Sequence, residues 1–305
     1  MKPKLSMGSL EWAMLITLSI LWGGSFFLMK VALADLPTFT IVFCRVVIAA
    51  STLFLFLKLS GVALPRGRKI WRTFFVMGFI NNLVPFSLLV WGMTQIASGL
   101  AAILNATTPL FAILVAHFTT SDERISTNKI AGMLLGLVGV AALVGVDALD
   151  GFDSSVLAML ACLGAALSYG LAASYGRKFK QLQLKPVVGA FGQVTASSVL
   201  LLPLALVIDR PWTLSVPVWS TWTALLALGT FSTALAYVLF FRILASAGST
   251  NIALVTLLVP VSAILLGWLI LGEILSLNHL FGMGLITLGL LAIDGRLWPG
   301  RAKTV

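Results

Sequence analysis

From Arg72 to Asp122 the chain carries no lysine, arginine, aspartate or glutamate. A helix needs about 20 apolar residues to cross the hydrocarbon of a bilayer. The uncharged stretch is far longer than one crossing, so it holds two, with the turn supplied by Gly92, Gln95, Ser98 and Gly99. The rest of the chain follows the same pattern, with charges marking the ends of apolar runs. Helices are expected near 12–32, 38–57, 72–92, 96–118, 129–146, 155–176, 186–208, 218–241, 249–271 and 278–294. The composition agrees: 59% of residues are hydrophobic and 10% charged, where a soluble domain is about one quarter charged. The chain is read as an all-α membrane protein with ten transmembrane helices.

Basic residues set the orientation. With the N-terminus inside, 17 of the 20 lysines and arginines fall on inner segments, among them Lys58, Arg66, Arg68, Lys69, Arg72, Arg124, Lys129, Arg177, Lys178, Lys180, Lys185 and Arg242. Only Lys30, Arg45 and Arg210 fall elsewhere, while Asp147, Asp150 and Asp153 cluster outside. The positive-inside rule then places both termini in the cytoplasm of a cell whose inner membrane holds the protein. The same distribution explains the net charge of +10 without nucleic acid. Lys2 and Lys4, the apolar stretch from Trp12 to Val31 and the segment Ala32-Leu33-Ala34 resemble a signal peptide. The stretch is long enough to span, so it is expected to stay as the first helix.

The chain also repeats itself. SGLAAILNATTPLFAIL at 98–114 aligns with STNIALVTLLVPVSAIL at 249–265, placing Ser98 on Ser249, Ala102 on Ala253 and Pro109 on Pro260. After a one-residue gap, Glu123 falls on Glu273, Asn128 on Asn278, Gly132 on Gly282 and Gly139 on Gly289. Two five-helix units are therefore expected, at 1–150 and 151–305. An odd number of spans per unit inserts the two with opposite orientation, giving inverted repeats. Many secondary transporters are built this way, with the solute site between the halves.

No chemistry for catalysis is visible. There is no G-x-S-x-G, H-E-x-x-H or P-loop. His117 and His279 stand alone at helix ends, without a metal-ligand partner at helical spacing. Cys44 and Cys162 lie mid-span without C-x-x-C spacing and read as small buried hydrophobes. No catalytic residue, metal or cofactor is expected.

WGGSFFLMKVAL at 22–33, FCRVVIAA at 43–50, ASGLAAILNATTPLFAILVAHF at 97–118 and FRILASAGSTNIALVTLLVPVSAILLGWLILGE at 241–273 resemble the EamA family of the drug/metabolite transporter superfamily. The resemblance covers nearly the whole chain. It implies a ten-helix inner-membrane carrier, often an exporter of amino acids or other small metabolites, aromatic amino acids included. The chain departs from the pattern in one place: the first repeat reads SDER at 121–124 where the second reads LGEI at 271–274.

Polar residues at membrane depth are costly unless they are paired or line water. Asn81 and Asn82 precede Pro85 and Phe86; Asn105, Thr107 and Thr108 precede Pro109; Ser232, Thr233 and Tyr237 lie in the eighth helix; Asn251 and Thr256 precede Pro260. Trp22 stands before Gly23, Gly24 and Ser25, and Ser168 and Tyr169 occupy the matching place in the sixth helix. Helix–helix hydrogen bonding accounts for any one of them. As a set recurring in both repeats, Trp22, Ser25, Asn81, Asn82, Phe86, Asn105, Thr108, Ser168, Tyr169, Ser232, Thr233, Tyr237, Asn251 and Thr256 are expected to line a substrate cavity. Arg45 is the basic residue well inside a span, with Gln193 as its rough counterpart; it either caps neighbouring carbonyls or binds a substrate carboxylate. Lys30 is expected to snorkel. Gly132, Gly136 and Gly139 form a small-residue face on the fifth helix, suited to close helix packing or a homodimer contact.

An aromatic wall with amides and hydroxyls suits a neutral or zwitterionic small molecule. The expected function is a secondary carrier of such metabolites, amino acids first. Carriage of phosphorylated or nucleotide-type metabolites is the alternative, along with a non-transport membrane scaffold; phosphates call for several buried cations, and the spans offer Arg45. None of the ten acidic residues falls at a midplane, so transport without obligatory proton coupling is expected.

Overall fold

In the computed structural model, residues 8–64, 66–119, 127–144, 154–252, 254–274 and 276–294 are described. All regular structure among them is helical, because a backbone in hydrocarbon must satisfy its own N–H and C=O groups. We number ten helical units. In the first half these are α1 (Ser9–Ala32), α2 (Thr38–Leu59), α3 (Arg68–Gly92), α4 (Ser98–Thr119) and α5 (Thr127–Val144). The second half holds α6 (Ser154–Tyr175), α7 (Pro186–Asp209), α8 (Trp219–Ala247), α9 (Val255–Leu271, preceded by a short turn of helix at Ser249–Ile252) and α10 (Leu277–Asp294). Seven of them are long and apolar enough to cross a membrane, and three shorter apolar helices complete the set among the described residues. Large apolar side chains such as Leu55, Leu134, Val207, Trp268 and Phe281 remain exposed around the bundle. In water that surface would aggregate; in lipid it is the expected exterior.

The ends shift from the sequence expectation. α3 starts at Arg68 rather than 72, and α8 runs on to Ala247 rather than 241. Lysines and arginines at the ends of spans do not stop a helix, so charge placed these boundaries less well than hydrogen bonding does.

The two halves pack as inverted copies. α1 lies on α9 as α6 lies on α4, and α3 lies on α7 as α8 lies on α2. Glycines mark the closest approaches. A Cβ on Gly78 would stand 2.7 Å from the Gln193 carbonyl, and one on Gly229 would stand 3.0 Å from the Arg45 carbonyl. The α5–α10 pair is reciprocal: Gly139 faces the Gly282 carbonyl and Gly289 faces the Gly132 carbonyl. The small-residue face of α5 is thus occupied within the chain.

Three carboxylates tie one end of the bundle, each joining one half to a helix start in the other. Asp35 Oδ2 accepts from Val218 N (3.0 Å) and Thr221 Oγ1 (2.6 Å) at the start of α8. Asp209 Oδ2 accepts from Thr40 N (2.6 Å) and Thr40 Oγ1 (2.9 Å) at the start of α2. Glu273 accepts from Ser98 N (2.9 Å), Ser98 Oγ (2.7 Å) and Gly99 N (3.3 Å) at the start of α4. Helix N-termini have free N–H groups and a positive dipole end, so each carboxylate satisfies donors and charge together. Lys30 does not snorkel: its ammonium donates to the carbonyls of Met93 (2.6 Å) and Ile96 (3.2 Å), closing the turn between α3 and α4 at this same end. The sequence partner of Glu273, Glu123, lies outside the described residues, as do Asp147, Asp150 and Asp153.

Candidate functional site

The third helix of each half loses its regular winding at the same place. α3 has a π-helical segment at Phe79–Leu83, and α8 has one at Thr230–Leu235. Such bulges are rare and frequently sit at functional positions. Counted from Gly78 and Gly229, Asn81 corresponds to Ser232, Asn82 to Thr233 and Phe86 to Tyr237. Widening the helix frees carbonyls, and hydroxyls take them. Thr233 Oγ1 donates to Leu228 O (2.8 Å), Ser168 Oγ to Ile80 O (2.6 Å) and Ser197 Oγ to Gly78 O (3.1 Å).

The freed turns aim a polar cluster inward. Asn81 Nδ2 donates to Gln193 Oε1 (3.1 Å) and to the Tyr237 hydroxyl (3.2 Å); Asn82 Nδ2 donates to the same hydroxyl (3.2 Å). Asn82 is fully buried, and its Oδ1 has no hydrogen-bond partner. Beside them, Arg45 Nε–H donates to Thr233 Oγ1 (2.9 Å), and the guanidinium carbon sits 3.8 Å from the centre of the Phe86 ring. Arg45 is 4% exposed. The two α2/α7 side chains therefore play matching parts, each bonded to a bulge: Arg45 to α8 and Gln193 to α3.

An aromatic row borders the cluster. Trp22 meets Phe240 at 5.6 Å between ring centres, Phe240 meets Phe241 at 5.3 Å, and Phe241 lies 6.4 Å from Tyr237. Tyr169 and Tyr237 both lie within electrostatic range of Arg45. Both tyrosines are half-buried. Trp22 and Asn81 are likewise half-buried.

The expected residues thus divide. Trp22, Asn81, Asn82, Phe86, Tyr169, Thr233 and Tyr237 meet in or around this cluster, and Ser168 and buried Ser232 belong to the same bulges. The others are placed elsewhere. Ser25 Oγ turns back on the Trp22 carbonyl (2.6 Å), and Asn251 Nδ2 donates to the Ala247 carbonyl (2.9 Å). Thr108 Oγ1 takes the Asn105 carbonyl (2.7 Å) that Pro109 leaves free, where α4 breaks. The Asn105 Oδ1 there is buried without a partner. Thr256 lines a separate cavity of about 460 Å³ among Ile103, Pro260, Met283 and Ile286, whose lining is nearly all apolar. Sequence reasoning left Phe240 and Phe241 unnoticed, because two phenylalanines in an apolar helix carry no signal. Arg45 and Gln193 were visible as polar residues at depth, without their partners. Among the described residues no group of His, Cys, Asp and Glu could hold a metal ion.

Comparison with known proteins matches the chain twice to the EamA-like transporter family, over residues 10–145 and 156–293. The uncharacterised transporter YoaV of Bacillus subtilis (strain 168) is 28% identical over 284 residues, covering 90% of this chain and 94% of the relative. An S-adenosylmethionine/S-adenosylhomocysteine transporter of Chlamydia trachomatis is 29% identical over 289 residues, covering 89% of this chain and 85% of that protein. The uncharacterised inner membrane transporter YedA of Escherichia coli (strain K12) is 26% identical over 294 residues, covering 94% and 92%. A solved crystal structure superposes with a TM-score of 0.67 over 96% of this chain and 100% of its own, at 21% identity, a likeness of fold.

Proposed function

The chain belongs to the EamA-like transporter family, a family of transporters and not of enzymes, and we propose that it carries small neutral or zwitterionic metabolites, amino acids with aromatic side chains among them, outward across the inner membrane. As a secondary transporter of this type it works between the two halves. We assign the solute to the space where the bulges of α3 and α8 face α2 and α7. The observation that carries this reading is the pairing there of an amide–hydroxyl cluster, its Asn82 Oδ1 acceptor left open, with the row Trp22–Phe240–Phe241. Amides and hydroxyls exchange hydrogen bonds with a polar headgroup, and the aromatic row takes an apolar tail. The two halves, with the boundary placed at 150/151, would rock about this centre, and the end tied by Asp35, Asp209 and Glu273 would open when the opposite end closes.

A second reading is favoured by the Chlamydia relative. S-adenosylmethionine joins an amino-acid headgroup to a flat aromatic base, so a similar site would serve it. A phosphorylated solute fits less well, since Arg45 is the cation among the described residues of the cluster. The test is exchange in proteoliposomes: labelled L-phenylalanine, L-tryptophan, L-leucine and S-adenosylmethionine outside, the same compound unlabelled inside, with and without a pH gradient. Saturable exchange of at least one of these, independent of the gradient, is expected, because the carboxylates described cap helix ends rather than the membrane centre. No exchange of any of the four would remove the reading, and gradient-driven accumulation would remove its uncoupled form.

A further inference from the structure

Arg45 holds a full charge deep in a membrane bundle without a carboxylate. Among the described residues no acid pairs with it. Asp35, Asp209 and Glu273 are engaged at helix starts at one end of the bundle, and Glu11 accepts from the Gly8 N–H (3.0 Å) near the N-terminus. The contacts Arg45 does make are weak for a cation: one hydroxyl through Nε, the Met29 sulfur 3.3 Å from Nη1, and the Phe86 ring face. A guanidinium presents five donors in a planar fork suited to carboxylate, and this one has spent its fork edge on a thioether.

Holding the bulge in place does not require the charge. At the pseudo-equivalent position Gln193 performs the same task, accepting from Asn81 at 3.1 Å, and it is neutral. Both residues pack their backbones on the corresponding glycines, Gly229 and Gly78. The scaffold explains a polar side chain at both places and a cation at neither. A cation in the low-dielectric interior is retained where an anion comes to meet it.

We infer that Arg45 is the specificity-determining residue of the transporter, the anchor for the carboxylate of its solute. The inference rests on the proposed reading of the cluster as the solute site and narrows the class within it. Asn82 supplies the complementary half. Its Oδ1 is a buried acceptor without a donor, and it sits on the hydroxyl of Tyr237, itself within electrostatic range of Arg45. A solute with a carboxylate for Arg45 and an N–H donor for Asn82 satisfies both orphan groups at once. That is the headgroup of an α-amino acid, with its side chain along the Trp22–Phe240 row. Binding neutralises the buried charge, so occupied and empty sites differ in electrostatic cost, and a compound lacking the carboxylate gains nothing from Arg45.

The test uses full-length purified protein and four phenyl compounds that share a ring and differ in charge: L-phenylalanine, 3-phenylpropionate, L-phenylalaninamide and phenethylamine. Thermal stabilisation in detergent is measured for each, on the wild type and on Arg45→Gln and Arg45→Lys. The two carboxylates are expected to raise the Tm in a saturable manner, and the amide and amine to act at least tenfold more weakly. Arg45→Gln abolishes the difference, and Arg45→Lys, which keeps the charge but not the fork, retains it with several-fold weaker affinity. Should Arg45→Gln fail to fold, the wild-type series and Arg45→Lys decide. Equal stabilisation by the amide or amine, none by either carboxylate, or a preference for carboxylates surviving in Arg45→Gln overturns the inference. The exchange assay separates this from the reading it rests on. Stabilisation by carboxylates without exchange removes amino-acid transport and leaves Arg45 as an anion site. Exchange that persists unchanged in Arg45→Gln does the reverse.

Discussion

The Tyr237 hydroxyl accepts two amide N–H donors, from half-buried Asn81 and buried Asn82. A buried donor that loses its acceptor costs about 1–3 kcal/mol. Tyr237→Phe removes that acceptor from Asn82, while Asn81 keeps Gln193, and it leaves the ring that stacks near Phe241. The variant is expected to fold, with its Tm lowered by a few degrees, and to lose tenfold or more in labelled-substrate exchange. A variant with normal exchange would place the solute elsewhere. At this scale the sequence showed which residues were polar at depth and not which of them met. Asn82 and Asn251 look alike in the sequence. One ends in the shared cluster and the other on its own helix, on the Ala247 carbonyl. The difference arises from helix rotation and winding, which a one-residue π bulge changes and which hydropathy does not record.

Among the elements, α2, α4 and α8 begin on carboxylates borrowed from the opposite half. A side-chain cap on a helix start is worth about 0.5–2 kcal/mol, and three in parallel bias the bundle toward closure at that end. Glu273 makes three of these hydrogen bonds, two to backbone N–H groups and one to the Ser98 hydroxyl. Glu273→Ala is expected to release α4 and enlarge the population open at that end by about tenfold, the equivalent of roughly 1.4 kcal/mol. Spin labels at exposed Thr94 and Ile274 in a background lacking Cys44 and Cys162 would report a second, longer distance in pulsed dipolar spectra. An unchanged distribution would make the caps purely structural. The existence of each helix was readable from apolar length. The break in α4 was foreshadowed by Pro109, and the bulges in α3 and α8 were not foreshadowed: the α3 bulge takes hydroxyls from Ser168 and Ser197 on other helices, and the α8 bulge takes one from its own Thr233, a pattern hydropathy does not record.

For the whole molecule, the inverted packing of α1 on α9 and α6 on α4 fits two units inserted with opposite orientation. The basic residues then predict which way round the pair sits. Ser154, exposed at the start of α6, is expected on the outer face and both termini on the inner. Ser154→Cys should react with a membrane-impermeant maleimide in intact cells. Reaction only after permeabilisation would reverse the assignment, and with it the side that Asp35, Asp209 and Glu273 close.

The sequence by itself determined that this chain lives in a bilayer, that it is made of helices, and that it is a duplication. Each follows from a property additive along the chain: apolar length, the need of buried backbone to bond locally, and residue identity at a fixed offset. Tertiary structure decided the candidate site. Gln193 reaches Asn81 across 112 positions of sequence, and Arg45 reaches Thr233 across 188. Such contacts depend on how the bulged turns of α3 and α8 face α7 and α2, with Gly78 and Gly229 allowing backbones to touch. Hydropathy and spacing are summed within one helix, whereas this polar cluster is made between four.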